Sequence, residues 1–281
     1  MLYHVMRFFA RISLHLYNKR IGWEGVENIP KNKPVLFAPT HCNSLLDGLF
    51  LVTALEQGIY CLARGDLFRK PKMNWFLRHI KLLPIFRQSE NEENSAEKNA
   101  ATFDECQELF LQNKWLLIFP EGISQNQKTV LPLKRGITSM AQRAWAADID
   151  LHIIPVSVTY DHFAKWGKKC DIVFGKAIRS SDIQQDTIPY PLNDKLHQEL
   201  SLNVPSTFHF KGDNLLWGWF GQAIYYVGWV FHFPLYFLCY YWGKKLTKKN
   251  PVFHDSVITG LTGQLLPFYY LLLGFIYWVV A

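Results

Sequence analysis

Two long apolar stretches near the carboxyl terminus, Leu215–Trp242 and Val257–Ala281, constrain this chain more than any other feature. Each is longer than the roughly 20 helical residues that span a bilayer core about 30 Å thick. A buried helical hairpin inside a soluble core is the alternative. Ten tryptophans and an aromatic share of 16% argue against it, because Trp and Tyr favour the membrane–water boundary. Lys244, Lys245, Lys248 and Lys249 separate the stretches. If both stretches cross, the tendency of lysines to remain cytoplasmic places the preceding residues on the far side. His232 and Pro234 interrupt the first stretch and fit a re-entrant or interfacial hairpin instead. On that arrangement the preceding domain faces the cytoplasm.

The amino terminus also suggests a membrane surface. His4, Arg7, Arg11 and His15 recur at helical spacing among Leu2, Val5, Met6, Phe9, Leu14 and Leu16. That pattern predicts a basic amphipathic helix in residues 1–24 lying in the interface. Packing of the same helix against the following domain is the rival expectation. A secretory signal fits less well, because Arg7 and Arg11 interrupt the apolar run and no small-residue cleavage site follows.

Residues 25–212 read as one domain, and residues 213–281 as membrane-embedded hydrophobic helices. Within the domain, short apolar runs alternate with helical patterns. Strands are expected near 35–39, 58–63, 115–119, 152–159 and 171–174, and helices near 45–56, 72–79, 96–113 and 136–147. Leu82–Phe86 is a further short apolar run, and residues 88–99 read as a solvated loop. The alternation predicts an α/β fold.

The net charge of +7 and pI near 9.1 suit an anionic partner, whether nucleic acid, a phospholipid surface or a phosphorylated substrate. Zinc-finger spacing, an RNP-like signature and a basic recognition helix are all missing, so nucleic acid is not expected. The five cysteines are scattered, odd in number and without a Cys-x-x-Cys pair, as expected of reduced packing residues. Cys42 beside His41 raises the question of a thiol nucleophile, yet adjacency in sequence does not supply the geometry.

Two segments carry chemistry. Val35–Pro39 runs into Thr40-His41, with Asp47 six residues beyond the histidine. Trp115–Phe119 runs into Pro120-Glu121-Gly122. In an open α/β sheet ligands bind outside the carboxyl ends of the strands. A His delivered there with a carboxylate to orient it can deprotonate a hydroxyl for acyl transfer. Glu121 is suited to the hydroxyls of a polar acceptor. Arg87, Lys134 and Arg135 are candidate phosphate ligands, the last two at an expected helix start; Arg64 is a further candidate. A Gly-x-Ser-x-Gly elbow is missing, which removes a serine hydrolase.

Taken together the segments resemble the glycerolipid acyltransferase family, which includes glycerol-3-phosphate and 1-acylglycerol-3-phosphate acyltransferases. Four ordered blocks carry the resemblance: His41-Cys-Asn-Ser-Leu-Leu-Asp47, Leu83-Pro-Ile-Phe-Arg87, Phe119-Pro-Glu-Gly122 and Ile153-Ile-Pro-Val156. The resemblance implies that His41 is the general base, oriented by Asp47. It further implies that Arg87 and Glu121, with Gly122, Lys134 and Arg135 nearby, bind a glycerol phosphate, and that Pro155 shapes the acyl-donor side. Neither a metal nor a bound cofactor is implied, acyl-CoA or acyl-carrier protein being a co-substrate. The implied enzyme sits in a membrane, the bacterial inner membrane being expected, and the favoured acceptor is 1-acylglycerol-3-phosphate.

Two departures from the family pattern stand out. Five residues separate His41 from Asp47 where four are usual, a longer form that resembles glycerol-3-phosphate/dihydroxyacetone-phosphate acyltransferases. Ile123-Ser124 stands where Thr-Arg often follows Phe-Pro-Glu-Gly. Glycerol 3-phosphate is therefore the runner-up acceptor, and a non-catalytic lipid-binding protein is the reading from another class.

Overall fold

A computed structural model describes residues 2–86, 94–163, 165–183, 191–204 and 215–281. Within them runs a seven-stranded sheet: β1 (Asn18–Glu24), β2 (Val35–Pro39), β3 (Ile59–Arg64), β4 (Leu82–Ile85), β5 (Trp115–Leu117), β6 (His152–Tyr160) and β7 (Lys168–Phe174). The strand order is β1-β7-β6-β2-β5-β3-β4. All neighbours pair in parallel except β6 with β7, which are antiparallel.

The helices are α1 (Leu2–Tyr17), α2 (Leu45–Ala54), α3 (Pro71–His79), α4 (Ser95–Leu111), α5 (Arg135–Ala146), α6 (Pro191–Asn203), α7 (Leu215–Leu246) and α8 (His254–Val280). Both faces of the sheet are covered, as a largely parallel sheet requires. On one face Val35 and Phe37 of β2 pack with Leu46, Phe50 and Leu51 of α2 and Leu14 of α1. On the other, Leu36 and Ala38 pack with Phe110 of α4, Met140 of α5 and Leu196 of α6.

The expected α/β alternation holds, with four differences in detail. The amino-terminal helix ends at Tyr17, and residues 18–24 form the edge strand β1 instead of completing a helix. Gly22 permits this, since a Cβ there would lie 2.2 Å from the carboxylate of Asp171 on the paired strand. The expected loop over 88–99 is shorter, because α4 starts at Ser95; residues 87–93 lie outside the described residues. Strand β7 begins at Lys168, earlier than the apolar pattern suggested, and α6 was not foreseen.

Both carboxyl-terminal stretches are continuous helices, with Pro234 inside α7 and Pro267 inside α8. They run antiparallel. Thr247 meets His254, Gly243 meets Ile258 and His232 meets Tyr270, pairs that recede step by step from the connection. Among the described residues one segment, Pro251–Val280, is long and apolar enough to cross a membrane. The end of the hairpin near the connection packs on the α/β domain: Ser13 of α1 donates to the Thr259 carbonyl (2.7 Å), and Tyr17, Cys239, Ile258 and Leu266 form a common cluster. Helix α1 meets the packing expectation along one face. Leu14 and Tyr17 are buried in the protein, whereas Leu2, Val5, Met6 and Phe8 remain exposed.

Candidate active site

The position of the site follows from strand order. Strands β2 and β5 are parallel neighbours, with Phe37 opposite Leu117. The chain leaves β2 towards α2 on one face and leaves β5 towards α5 on the other. Adjacent strands whose connections diverge in this way open a crevice at their carboxyl ends. His41 and Glu121 each lie four residues beyond that paired position, so both arrive at its mouth.

There His41 and Asp47 form a dyad. Nδ1 of His41 is 3.1 Å from Oδ2 of Asp47. An acceptor-only carboxylate at Nδ1 selects the tautomer with the proton on Nδ1, which leaves Nε2 able to accept one. Asp47 is fully buried and His41 retains 13% side-chain exposure, so the imidazole reaches the surface and the carboxylate does not. Two other donors fix the carboxylate: the Asn43 N–H reaches Oδ2 (2.8 Å) and the Tyr160 hydroxyl reaches Oδ1 (2.7 Å). The imidazole stacks on Phe119, with centroids 3.7 Å apart and planes 15° from parallel. The turn between His41 and Asp47 includes Ser44 at a positive φ of 53°, just before α2.

Glu121 holds the base from the other side. Its Oε1 accepts the His41 backbone N–H at 3.0 Å. Burial pushes its carboxyl above the ordinary value of 4.5, opposed by backbone N–H donation from His41 and Leu131. Further straps join the two loops: Gln125 N–H donates to the His41 carbonyl (3.2 Å), and Ser44 N–H to Ser124 Oγ (2.7 Å). Ser124, which marks a departure from the family pattern, therefore connects the Glu121 loop to the His41 loop. Gly122 closes the corner at φ 70°, where a Cβ would sit 3.0 Å from Cγ of Lys134.

The remaining candidates fall in different places. Lys134 is tied to the corner by its N–H to the Pro120 carbonyl (2.7 Å), and it and Arg135 are exposed where α5 begins. Arg64 is paired with Asp66 at 2.7 Å. Arg87 lies outside the described residues. Pro155 is buried in β6, sharing with Ser157 the face that α6 covers, opposite Asp47; its carbonyl accepts the Gly175 N–H. Cys42 is buried, its thiol 3.2 Å from the Val158 carbonyl and pushed far above the ordinary range by burial. It is no nucleophile. Among the described residues no cluster of His, Cys, Asp and Glu could hold a metal ion.

Sequence reasoning missed Tyr160, Asn43, Lys168 and Asp255. Lys168 and Asp255 form an ion pair, 0% and 1% exposed, deep beside the dyad. Asp255 did leave a signal: it is the single acidic residue between 215 and 281, in otherwise apolar sequence.

Comparison with known proteins bears on family and fold. Residues 20–159 match the family Acyltransferase. A chloroplastic 1-acyl-sn-glycerol-3-phosphate acyltransferase of Brassica napus is 22% identical over 55% of this chain and 41% of its own length. A 1-acyl-sn-glycerol-3-phosphate acyltransferase of Borreliella burgdorferi is 27% identical over 55% of this chain and 57% of its own. The alignments thus span about half the length of these relatives. The crystal structure of the 1-acyl-sn-glycerophosphate (LPA) acyltransferase PlsC from Thermotoga maritima shares the fold, with a TM-score of 0.56, 16% identity and coverage of 74% of this chain and 80% of that one. With the His41–Asp47 dyad, the Phe-Pro-Glu-Gly corner and the sheet that joins them, the chain belongs to the glycerolipid acyltransferase family.

Proposed function

We propose that this protein is a membrane-bound O-acyltransferase of phospholipid biosynthesis. It moves a fatty acyl group from acyl-CoA or acyl-carrier protein to 1-acylglycerol-3-phosphate, forming phosphatidic acid. The observation that carries the reading is the dyad: a partly exposed His41 whose Nδ1 is held by a buried, triply hydrogen-bonded Asp47. The relatives' acceptor supports the choice of substrate.

His41 Nε2 takes the proton of the acceptor hydroxyl as its oxygen attacks the thioester carbonyl. The tetrahedral adduct then collapses, the carbon–sulfur bond breaks, and the imidazolium returns the proton to the leaving thiolate. Asp47 stabilises the imidazolium between the two steps. Glu121 lines a recess of about 20 Å³, water-sized, with Gln125, Gln127, Lys128 and Thr129, polar groups suited to the oxygens of an acceptor bound over it. Lys134 and Arg135 add positive charge at the start of α5 for the phosphate.

Membrane attachment is proposed through α1 and the hairpin. Exposed Val227, Val230, Leu271, Ile276 and Val280 belong to the end of the hairpin far from the connection. The four lysines lie at the opposite end, where Asp255 is buried in the domain. On this reading catalytic domain and lysines share one side, cytoplasmic by the positive-inside tendency, which removes the conflict anticipated from two simple crossings.

The test is acyl transfer by detergent-purified protein, with labelled acyl-CoA and either 1-acylglycerol 3-phosphate or glycerol 3-phosphate. Product from the lysolipid, abolished in a folded His41→Ala variant, is expected. Product from glycerol 3-phosphate alone would replace the acceptor and give the longer His…Asp spacing that meaning. An active His41→Ala enzyme would remove the base. Should acyl-CoA fail with both acceptors, the same pair is offered acyl-carrier protein; failure there too favours a lipid-binding role.

A further inference from the structure

The buried pair Lys168–Asp255 lies outside the residues that match the family, yet it reaches both oxygens of Asp47. One route runs through Asn43. Its Nδ2 donates to Asp255 Oδ2 (2.7 Å), and its backbone N–H donates to Asp47 Oδ2 (2.8 Å). The other runs through Tyr160. The Lys168 ammonium lies 4.3 Å from the centroid of that ring, whose hydroxyl donates to Asp47 Oδ1 (2.7 Å). Tyr17 of α1 donates to Asp255 as well, which fixes the carboxylate against the helix beneath it.

The next residue of α8 holds the same turn. Ser256 Oγ donates to the Asn43 carbonyl (3.3 Å) and accepts the Leu46 N–H (3.2 Å). Helix α2 makes no capping bond with its own Ser44 side chain. An N–H in the first helical turn has no partner within its helix. Here the Leu46 N–H is shared between the Asn43 carbonyl just before the helix (3.2 Å) and Ser256 Oγ of α8. The three residues that bend the chain between the base and its orienter are therefore each held by something distant in sequence: Cys42 by the Val158 carbonyl, Asn43 by Asp255 and Ser256, Ser44 by Ser124.

A fully buried ion pair is rarely the most stable filling for its space, since apolar side chains of the same volume do as well or better. Its value lies in where it directs neighbouring donors. We propose that the first turn of α8 is a positioning element for the catalytic base. Asp255 and Ser256 set the 41–46 turn, Lys168 sets Tyr160, and the dyad is correctly placed only while the hairpin is docked on the domain. This rests on His41 acting as the general base; Asp255 touches no substrate and acts through Asn43 and Asp47.

The test compares full-length wild type, Asn43→Ala, Asp255→Ala, the double variant and Ser13→Ala in detergent. Ser13→Ala removes a bond between α1 and α8 without touching the turn. Two readouts are taken: kcat and KM for acyl transfer, and the Nδ1–H resonance of ¹⁵N-labelled His41, assigned by its loss in His41→Ala. Both Asn43→Ala and Asp255→Ala are expected to lower kcat on the order of a hundredfold with little change in KM. They should lose the resonance to exchange, and the double variant should fall no further than the worse single one. Ser13→Ala should keep kcat and the resonance whatever it does to Tm.

Additive losses, or losses that follow Tm equally in Ser13→Ala, would reduce Asp255 to a packing residue and overturn the proposal. The resonance separates the two readings. If wild type transfers no acyl group yet the signal still depends on Asp255, positioning stands and the substrate assignment falls. If the signal ignores Asp255, positioning falls whatever the turnover.

Discussion

Asp47 does its work by being unable to do anything else. Fully buried and accepting from His41, Asn43 and Tyr160, it has no exposed edge to offer a substrate. Its effect on the reaction passes through the tautomer and charge of His41. An amide at this position is nearly isosteric but presents an N–H as well as an oxygen. With its nitrogen towards His41 it faces two N–H donors. Turned the other way it faces the Tyr160 hydroxyl, which must then accept instead of donate, and in both orientations the negative charge beside the imidazole is lost. Asp47→Asn is therefore expected to fold, to bind both substrates with KM within a few-fold of wild type, and to lose on the order of 10³- to 10⁴-fold in kcat. A variant keeping a tenth of the wild-type kcat would show that His41 needs no orienter. At this scale the sequence was legible where chemistry is local: His41, Glu121 and Gly122 each follow an apolar run at a turn, and Asp47 lies in the first turn of the next helix. Tyr160 was not legible, because a tyrosine closing a β-branched run looks the same whether its hydroxyl meets water or a carboxylate 113 residues away.

At the scale of elements, the site is two loops sewn together across a crevice. The sheet order that brings them side by side, β2 next to β5, is not contained in either segment; it comes from long-range pairing. The α/β alternation was readable because β2 and β6 are short continuous apolar runs bounded by polar turns, and α5 carries a strong helical period. The polar edge strand β1, Asn-Lys-Arg-Ile-Gly-Trp-Glu, was not, since charged residues on an edge hide the alternation that marks a strand. Glu121 is one stitch between the loops, and its burial has a pH signature. Its folded-state pKa lies above the unfolded value near 4.5, so the folded protein holds the proton longer. Stability contributed by this group is thus full at low pH and declines as pH rises through that window. Glu121→Gln abolishes the decline. Relative to wild type, the Tm of the variant should rise between pH 4.5 and pH 8, and the offset at low pH reports any acceptor lost to the Leu131 N–H. Each kcal/mol is worth about 2–4 °C in a domain of this size. A difference in Tm that stays constant across the titration would mean that the carboxylate is not penalised by its surroundings.

At the scale of the molecule, the hairpin as proposed is both membrane attachment and part of the site. Its near end is polar and engaged with the domain through Asp255, Ser256 and Thr259, while its far end exposes Phe, Leu, Ile and Trp in all directions. The two apolar stretches were plain in the sequence; the end that docks was not, because that depends on the partner of one buried aspartate. Docking at the connection puts Lys248 and the catalytic domain on the same face of any membrane the far end enters, and this can be measured. Cysteines introduced at exposed Lys31, in the domain, and at exposed Lys248 should respond alike to a membrane-impermeant maleimide. Background should be low: Cys42, Cys106, Cys170 and Cys239 are buried, and burial pushes the Cys61 thiol up to about 12. Both Lys31→Cys and Lys248→Cys are expected to stay unlabelled in intact cells and to label in inverted vesicles. Labelling from opposite sides would mean that α7 and α8 do not keep their docked arrangement in a bilayer, and that the contact between Asp255 and Asn43 is broken there.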